Sequence, residues 1–159
     1  MNTGTVILGL GLVSYGFAKS VGIIPTTKTI RGKVSKFGGA NDPNSYEGAC
    51  AFYPNVFYYD MDTTLPYPAN MLWCAMRWNY TQTGKNLGIT SVSEIKEKIR
   101  QTVIYAKFGN RAVNLYPVDW GPARWTNRVL DISPMAMNTL KCKTDDIVEV
   151  TIPKWMELS

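Results

Sequence analysis

The apolar and polar positions divide the chain into an uncharged opening and a β-patterned remainder. No charged residue occurs from Met1 to Ala18, and residues 5–18 read TVILGLGLVSYGFA. That run is shorter than the roughly 20 residues of a membrane-spanning helix. Five glycines, Gly4, Gly9, Gly11, Gly16 and Gly22, make it a poor helix in water. In lipid or inside a protein assembly, small residues instead allow close backbone approach. A secretory signal would carry basic residues ahead of the apolar run, and Met1-Asn2-Thr3-Gly4 has none. The pattern therefore predicts an N-terminal apolar helix over residues 1–24, embedded in a membrane or a protein assembly. A cleaved signal and a packed soluble arm are the alternatives. Pro25-Thr26-Thr27 links this segment (1–27) to a domain over residues 28–159.

From Thr29 onward short alternating runs dominate. Residues 30–36 alternate and lead into a turn cluster at 38–45. Residues 48–52 predict a small-residue strand, and 71–78 (MLWCAMRW) a longer apolar one between Pro68 and Asn79. Ser91 and Glu94 have capping-box spacing and open a short helix with Val92, Ile95 and Ile99 on one face. Residues 102–108 and 111–118 flank Gly109-Asn110, the signal of a tight hairpin. Residues 128–132 form another strand. Ser133 as N-cap and Pro134 at the first helical position then start a helix reaching about Lys141. Thr144-Asp145-Asp146 turns into a last strand at 147–152. Six or seven short strands with two small helices predict a compact, mostly β barrel.

Composition narrows the chemistry. The 159 residues include no histidine, and the net charge is +5. Such a balance gives mild attraction to polyanions, including anionic wall polymers. The basic residues are dispersed, with no arm of the kind that binds nucleic acid, so no specific nucleic-acid partner is expected. Cys50, Cys74 and Cys142 lack CxxC spacing, and without histidine a metal site is discounted. No cofactor is implied. A cysteine nucleophile would lack its usual base, which leaves carboxylates to carry any acid–base work.

Two of them, Asp119 and Asp131, bracket the stretch VDWGPARWTNRVLDI at residues 118–132. Local chemistry offers each a structural role. Asp131 lies two residues before the helix N-cap, where free amides stabilise a carboxylate. Asp119 precedes Trp-Gly-Pro, a turn in which Asp bonds its own backbone. Arg124 and Arg128 are placed to pair with both, and Glu47 reads as solvated.

Three segments together resemble the expansin and rare lipoprotein A-like (barwin-like) family. Gly38-Gly39 through Glu47-Gly48-Ala49-Cys50 resembles its Gly-Gly…Gly-Ala-Cys opening. Met61-Asp62-Thr63-Thr64-Leu65-Pro66 resembles its Ala-His-x-x-Leu-Pro segment, with Asp62 at the histidine position. Val118-Asp119-Trp120-Gly121-Pro122, followed by Arg128-Val129-Leu130-Asp131-Ile132-Ser133, resembles its Asp-x-Gly-Pro…Arg-x-x-Asp-Leu-Ser closing pattern. The resemblance spans roughly residues 29–153 and is closest to members encoded by bacteriophages and prophages.

That resemblance implies a six-stranded double-psi β-barrel with two or three short helices and a polysaccharide-binding groove. It implies Asp119 and Asp131 as catalytic candidates, because glycosidic cleavage needs a group to protonate the leaving oxygen. Asp62, Tyr58, Tyr59, Trp120 and Trp125 are the substrate-binding candidates, with Tyr67 a further aromatic. Aromatic faces pack against the apolar faces of sugars, although aromatics fill cores more often. The expected partner is peptidoglycan or another cell-wall glycan, with a membrane or other virion proteins engaged through residues 1–24. An oligomer stays open.

Three function classes follow from the sequence. They are a virion-associated or membrane-attached structural protein that contacts the cell wall, a peptidoglycan-cleaving transglycosylase or glycosidase, and a non-catalytic expansin-like wall binder. The histidine replaced by Asp62 and the apolar opening favour the first. The matching locations are the virion or a membrane, or alternatively the bacterial envelope or periplasm. Deleting residues 1–24 is expected to abolish co-sedimentation with membranes or virions. Undiminished co-sedimentation would remove this segment as an attachment device.

Overall fold

The computed structural model describes residues 26–39, 49–58, 61 and 72–159. The apolar helix expected over residues 1–24 lies outside them, as do Tyr59, Asp62 and Tyr67. Among the described residues there are eight strands and three α-helices of more than one described residue. The strands are β1 (Thr27–Lys36), β2 (Ala49–Cys50), β3 (Tyr53–Phe57), β4 (Trp73–Met76), β5 (Ile104–Phe108), β6 (Arg111–Trp120), β7 (Arg128–Ile132) and β8 (Ile147–Pro153). Three helices join them: α1 (Tyr80–Leu87), α2 (Val92–Arg100) and α3 (Pro134–Leu140).

Period-2 patterning sets the barrel strands. In β8, Val148, Val150 and Ile152 are fully buried while Ile147, Glu149 and Thr151 between them are not. The hairpin forms where expected, with Phe108 paired to Arg111 and Gly109 at φ 59°. A left-handed glycine at the first central position is the type II′ pattern, whose twist suits antiparallel strands. β4 differs in being buried at all four positions, because neighbours cover both of its edges and both of its faces.

Six strands close into one barrel in the order β1-β7-β4-β6-β5-β8, while β2 and β3 make a separate two-stranded sheet. β1 runs parallel to β7, and β4 parallel to β6. The other four pairings, β1–β8, β4–β7, β5–β6 and β5–β8, are antiparallel. In chain order the barrel is strand, strand, helices, strand, then strand, strand, helix, strand. Exchanging the two halves (β1 with β6, β4 with β7, β5 with β8) maps this set of pairings onto itself. Each half threads a strand in parallel into the other half, and the fold is a six-stranded double-psi β-barrel. The interior holds Val34, Met76, Ile104, Ala106, Leu115, Leu130 and Ile132, all at 0% exposure.

Local chemistry places the helices. Ser133 Oγ accepts from Ala136 N at 3.0 Å, with Pro134 opening α3. Ser91 Oγ accepts from Glu94 N at 3.4 Å to open α2. Ile95 and Ile99 of α2 are buried, but Val92, expected on the same face, is exposed because it sits in the first turn beyond the packed surface.

Three other expectations change. Of the strand expected over 48–52, Ala49–Cys50 is extended and residues 51–52 turn into a further strand, Tyr53–Phe57, that pairs back on it. The apolar run at 71–78 yields only Trp73–Met76, and Trp78 instead forms a bridge to Leu158. The helix α1 is additional, and its sequence YTQTGKNL has no apolar stripe. It is held by Asn79 Oδ1, which accepts from Gln82 N at 3.0 Å, and it ends at Gly88 with φ 69°.

Gly84 lies inside α1, where glycine costs about 1 kcal/mol relative to alanine. Its reason is close approach, since a Cβ there would stand 2.5 Å from the Ile89 carbonyl oxygen and 2.6 Å from Ile95 Cδ1. Gly84→Ala is therefore expected to lower stability by about 1–3 kcal/mol despite the better helix propensity. An unchanged or raised urea midpoint would show that the loop after α1 yields freely.

Candidate functional site

The site lies where the two parallel pairings meet. Ser35 in β1 pairs with Asp131 in β7, Asp131 with Ala75 in β4, and Ala75 with Asp119 in β6. Four residues from four strands thus form one row, Ser35–Asp131–Ala75–Asp119. Two strand spacings separate the aspartates, placing their Cα atoms about 10 Å apart. Only the methyl group of Ala75 stands between them, which leaves the space open.

That space is a cleft of about 280 Å³, lined by all four residues of the row together with Tyr58, Trp120, Gly121 and Arg128. The Gly-Pro of the sequence pattern has a packing reason here. A Cβ on Gly121 would lie 3.2 Å from Asp131 Oδ2 and 3.7 Å from Ala75 Cβ, so a side chain would crowd the cleft. The Gly121–Pro122 bond is cis. A larger groove of about 450 Å³ lies between α1 and α2. Its lining, which includes Tyr80, Gly84, Lys85, Ile89 and Ile95, contains no carboxylate, so the smaller cleft is the one with acid–base chemistry.

The two aspartates differ in environment. Asp119 is 4% exposed. Its Oδ1 accepts from Ala51 N at 2.8 Å and its Oδ2 from the Tyr58 hydroxyl at 2.5 Å. Burial raises its pKa, outweighing the opposing hydrogen bonds from Tyr58, Ala51 and the Trp120 amide and the nearby charge of Lys96. Asp131 is half-buried, and its Oδ1 accepts from Ser35 Oγ. The capping role at α3 belongs to Ser133. Asp119 is a strand residue that accepts from the Trp120 amide beside it and also holds a separate segment through Ala51 N.

Arg128 interacts with two carboxylates, Asp145 and Asp131. Arg128 binds Asp145 through Nε at 2.9 Å, while its charge still acts together with that of Asp131.

Around the pair, Tyr58 is held edge-on against Phe37, with ring centroids 5.9 Å apart and planes at 88°. Burial, and next the bond to Asp119, push its phenol well above the ordinary range. Trp120 lines the cleft at 37% exposure and donates from Nε1 to the Trp78 carbonyl at 3.2 Å. Trp125 is 89% exposed on the short 3-10 turn Arg124–Thr126, between cleft residues Ala123 and Thr126. Burial pushes the Cys50 thiol up to about 12, with the Asp119 charge adding to it, so Cys50 is a poor nucleophile. Among the described residues no cluster of three Cys, Asp or Glu converges to hold a metal ion.

Of the sequence-derived site residues, the structure brings Asp119, Asp131, Tyr58 and Trp120 to one cleft and puts Trp125 beside it. Ser35 and Ala75 carried no signal of their own. Ser35 is a single small polar residue in an alternating strand, and Ala75 sits inside an apolar run. Tyr58 was expected as a stacking face, yet it contributes its hydroxyl.

No protein-family model and no curated protein matches the chain. Among solved structures, the chain is similar to the rationally designed protein mkDPBB_sym2, at 13% identity and a TM-score of 0.38, covering 77% of this chain and 96% of that one. The fold assignment above rests on strand order and register.

Burial of Asp119 has a pH consequence. Near pH 3.9, the ordinary value, the unfolded chain begins to lose this proton while the folded chain keeps it. Stability therefore falls as pH rises from about 4 through the raised native value, and the loss is constant above it. Asp119→Asn removes the ionisation and can still accept from Ala51. The variant is expected to gain on the wild type in thermal melts as pH is raised from 4 toward neutrality. A pH-independent difference between the two melting temperatures would contradict the raised value.

Proposed function

We propose that the cleft binds a cell-wall glycan of the peptidoglycan type and cleaves its glycosidic bond by intramolecular transglycosylation, with Asp131 as the acid. The observation that carries this reading is the row Ser35–Asp131–Ala75–Asp119, two carboxyl groups facing one cleft across a single methyl group. Asp131 is the reachable member, oriented by Ser35. In the reaction its carboxylic acid donates a proton to the glycosidic oxygen as the bond from that oxygen to the anomeric carbon breaks. A hydroxyl of the same sugar then bonds to the anomeric carbon, and its proton returns to the Asp131 carboxylate. No water is consumed, so one acid–base group suffices.

Asp119, with both oxygens engaged, does not itself transfer protons. Its negative charge, two strands away, favours the positive character of the sugar ring in the transition state. Trp120 and Trp125 offer apolar faces to neighbouring sugars. Within this proposal the apolar run at 5–18 attaches the barrel to a virion or envelope membrane. The resemblance to expansin and rare lipoprotein A-like domains, including phage-encoded members, supports the choice of polymer.

A second reading, a wall-binding module without cleavage, is favoured by one feature. Both Asp119 oxygens are already held by protein donors, as a structural carboxylate would be.

Incubating the purified full chain with peptidoglycan sacculi separates the two. Release of anhydro-muropeptides is expected, falling by about 100-fold or more in Asp131→Asn. Equal release by that variant would remove Asp131 from the chemistry. Retention on sacculi without release by the wild type would replace cleavage with binding.

A further inference from the structure

We propose that Tyr58 is a positioning residue of this cleft, its hydroxyl holding the Asp119 carboxylate in the charged state beside which Asp131 works. The inference rests on the glycan-cleaving reading above and adds a residue to it. Tyr58 follows β3, in a sheet separate from the barrel, and reaches the cleft from outside the row. Its direction is fixed at both ends. The ring is braced edge-on by Phe37, and its backbone carbonyl accepts from Gly39 N at 2.7 Å. The hydroxyl then donates to Asp119 Oδ2 at 2.5 Å, and a hydroxyl donor favours the charged carboxylate.

The groups around Asp119 show why this one contact matters. Cys50 from β2 and Tyr80 from α1 are near enough to feel its charge, and burial keeps both neutral. Lys96 from α2 opposes the burial by charge, donating to the Ala51 carbonyl at 3.4 Å. Asp131 from β7 acts with Asp119 on the Tyr58 hydroxyl. Ala51 N secures Oδ1. Tyr58 is the side-chain donor on Oδ2, the oxygen through which the buried carboxyl meets a cleft residue. Without that donor Asp119 retains its proton over a wider pH range, and the site loses the negative charge two strands from Asp131.

The test compares the full-length wild type with Tyr58→Phe, which keeps the ring against Phe37. Two readouts are needed. One is the side-chain carboxyl titration of Asp119 by carbon-13 NMR, assigned with Asp119→Asn. The other is the pH profile of muropeptide release. Tyr58→Phe is expected to move the Asp119 midpoint up by about one pH unit or more. It is also expected to lower kcat by up to about 10-fold at pH values below the wild-type midpoint, with little change in KM, recovering toward higher pH. A purely structural role would depress release equally at every pH and leave the midpoint in place, and that result overturns the proposal. Phe37→Leu, which loosens the ring and spares the hydroxyl, is expected to move the midpoint in the same direction by less. It supplies the test if Tyr58→Phe does not fold. A moved midpoint in a chain that cleaves nothing upholds the Tyr58–Asp119 link and removes only the catalytic reading. An unmoved midpoint in a chain that does cleave removes Tyr58 alone.

Discussion

The parallel pairing of strands distant in sequence is the constraint on which the structure depends. Ser35 and Asp131 are 96 residues apart and meet only because β1 is threaded beside β7. Parallel neighbours need long crossovers, so the barrel closes at an entropic cost that grows with loop length. The offset is an interior in which residues from both halves interdigitate at 0% exposure, among them Val34, Leu130, Ile132 and Met76. β4 is the keystone strand because it belongs to the first half while both of its partners belong to the second, β7 antiparallel and β6 parallel. A one-residue slip in β4 would put Cys74 in the place of Ala75 and turn its faces over. The core and the acid pair therefore depend on the same register.

Within that frame the two carboxyl groups divide their roles by solvation. A buried ionisable group is costly unless hydrogen-bonded, and Asp119 collects donors from β2–β3 and its own strand while Lys96 acts from α2. The small second sheet is therefore part of the site, since it delivers both Ala51 N and the Tyr58 hydroxyl to one carboxylate. Asp131 stays within reach of the cleft and accepts from the Ser35 hydroxyl. Environments that differ this much around two like groups are a recurrent mark of functional sites.

Much of the C-terminal half was legible in the sequence because its signals are local. Ser133-Pro134 fixes the start of α3, Gly109-Asn110 fixes the hairpin, and the alternation of residues 147–152 fixes β8. The carboxylates and the Gly-Pro between them were found through a pattern resemblance, and their packing supplies its reason. What stayed hidden depends on partners. α1 has only its caps to announce it, since Thr83 and Gly84 are buried by tertiary contact rather than by an apolar stripe. Ser35 and Ala75 became site residues through pairings that no local window contains. Asp119 keeps a bond to the Trp120 amide beside it, but its Ala51 and Tyr58 partners come from distant positions for the same reason.

The exchange of halves that preserves the barrel also reverses the row. It carries the place of Ser35 onto that of Asp119 and the place of Asp131 onto that of Ala75. The six barrel strands are thus indifferent to direction. A glycan is not, because its reducing and non-reducing ends differ. The tie is broken by the acid in β7, the methyl group at the equivalent position in β4, and the β2–β3 sheet with its Ala51 amide and Tyr58 hydroxyl on one flank. If the glycan proposed above lies in the cleft, its direction is consequently set by these departures from symmetry and not by the barrel strands. Transposing the acid to position 75 would address the same polymer from its opposite end.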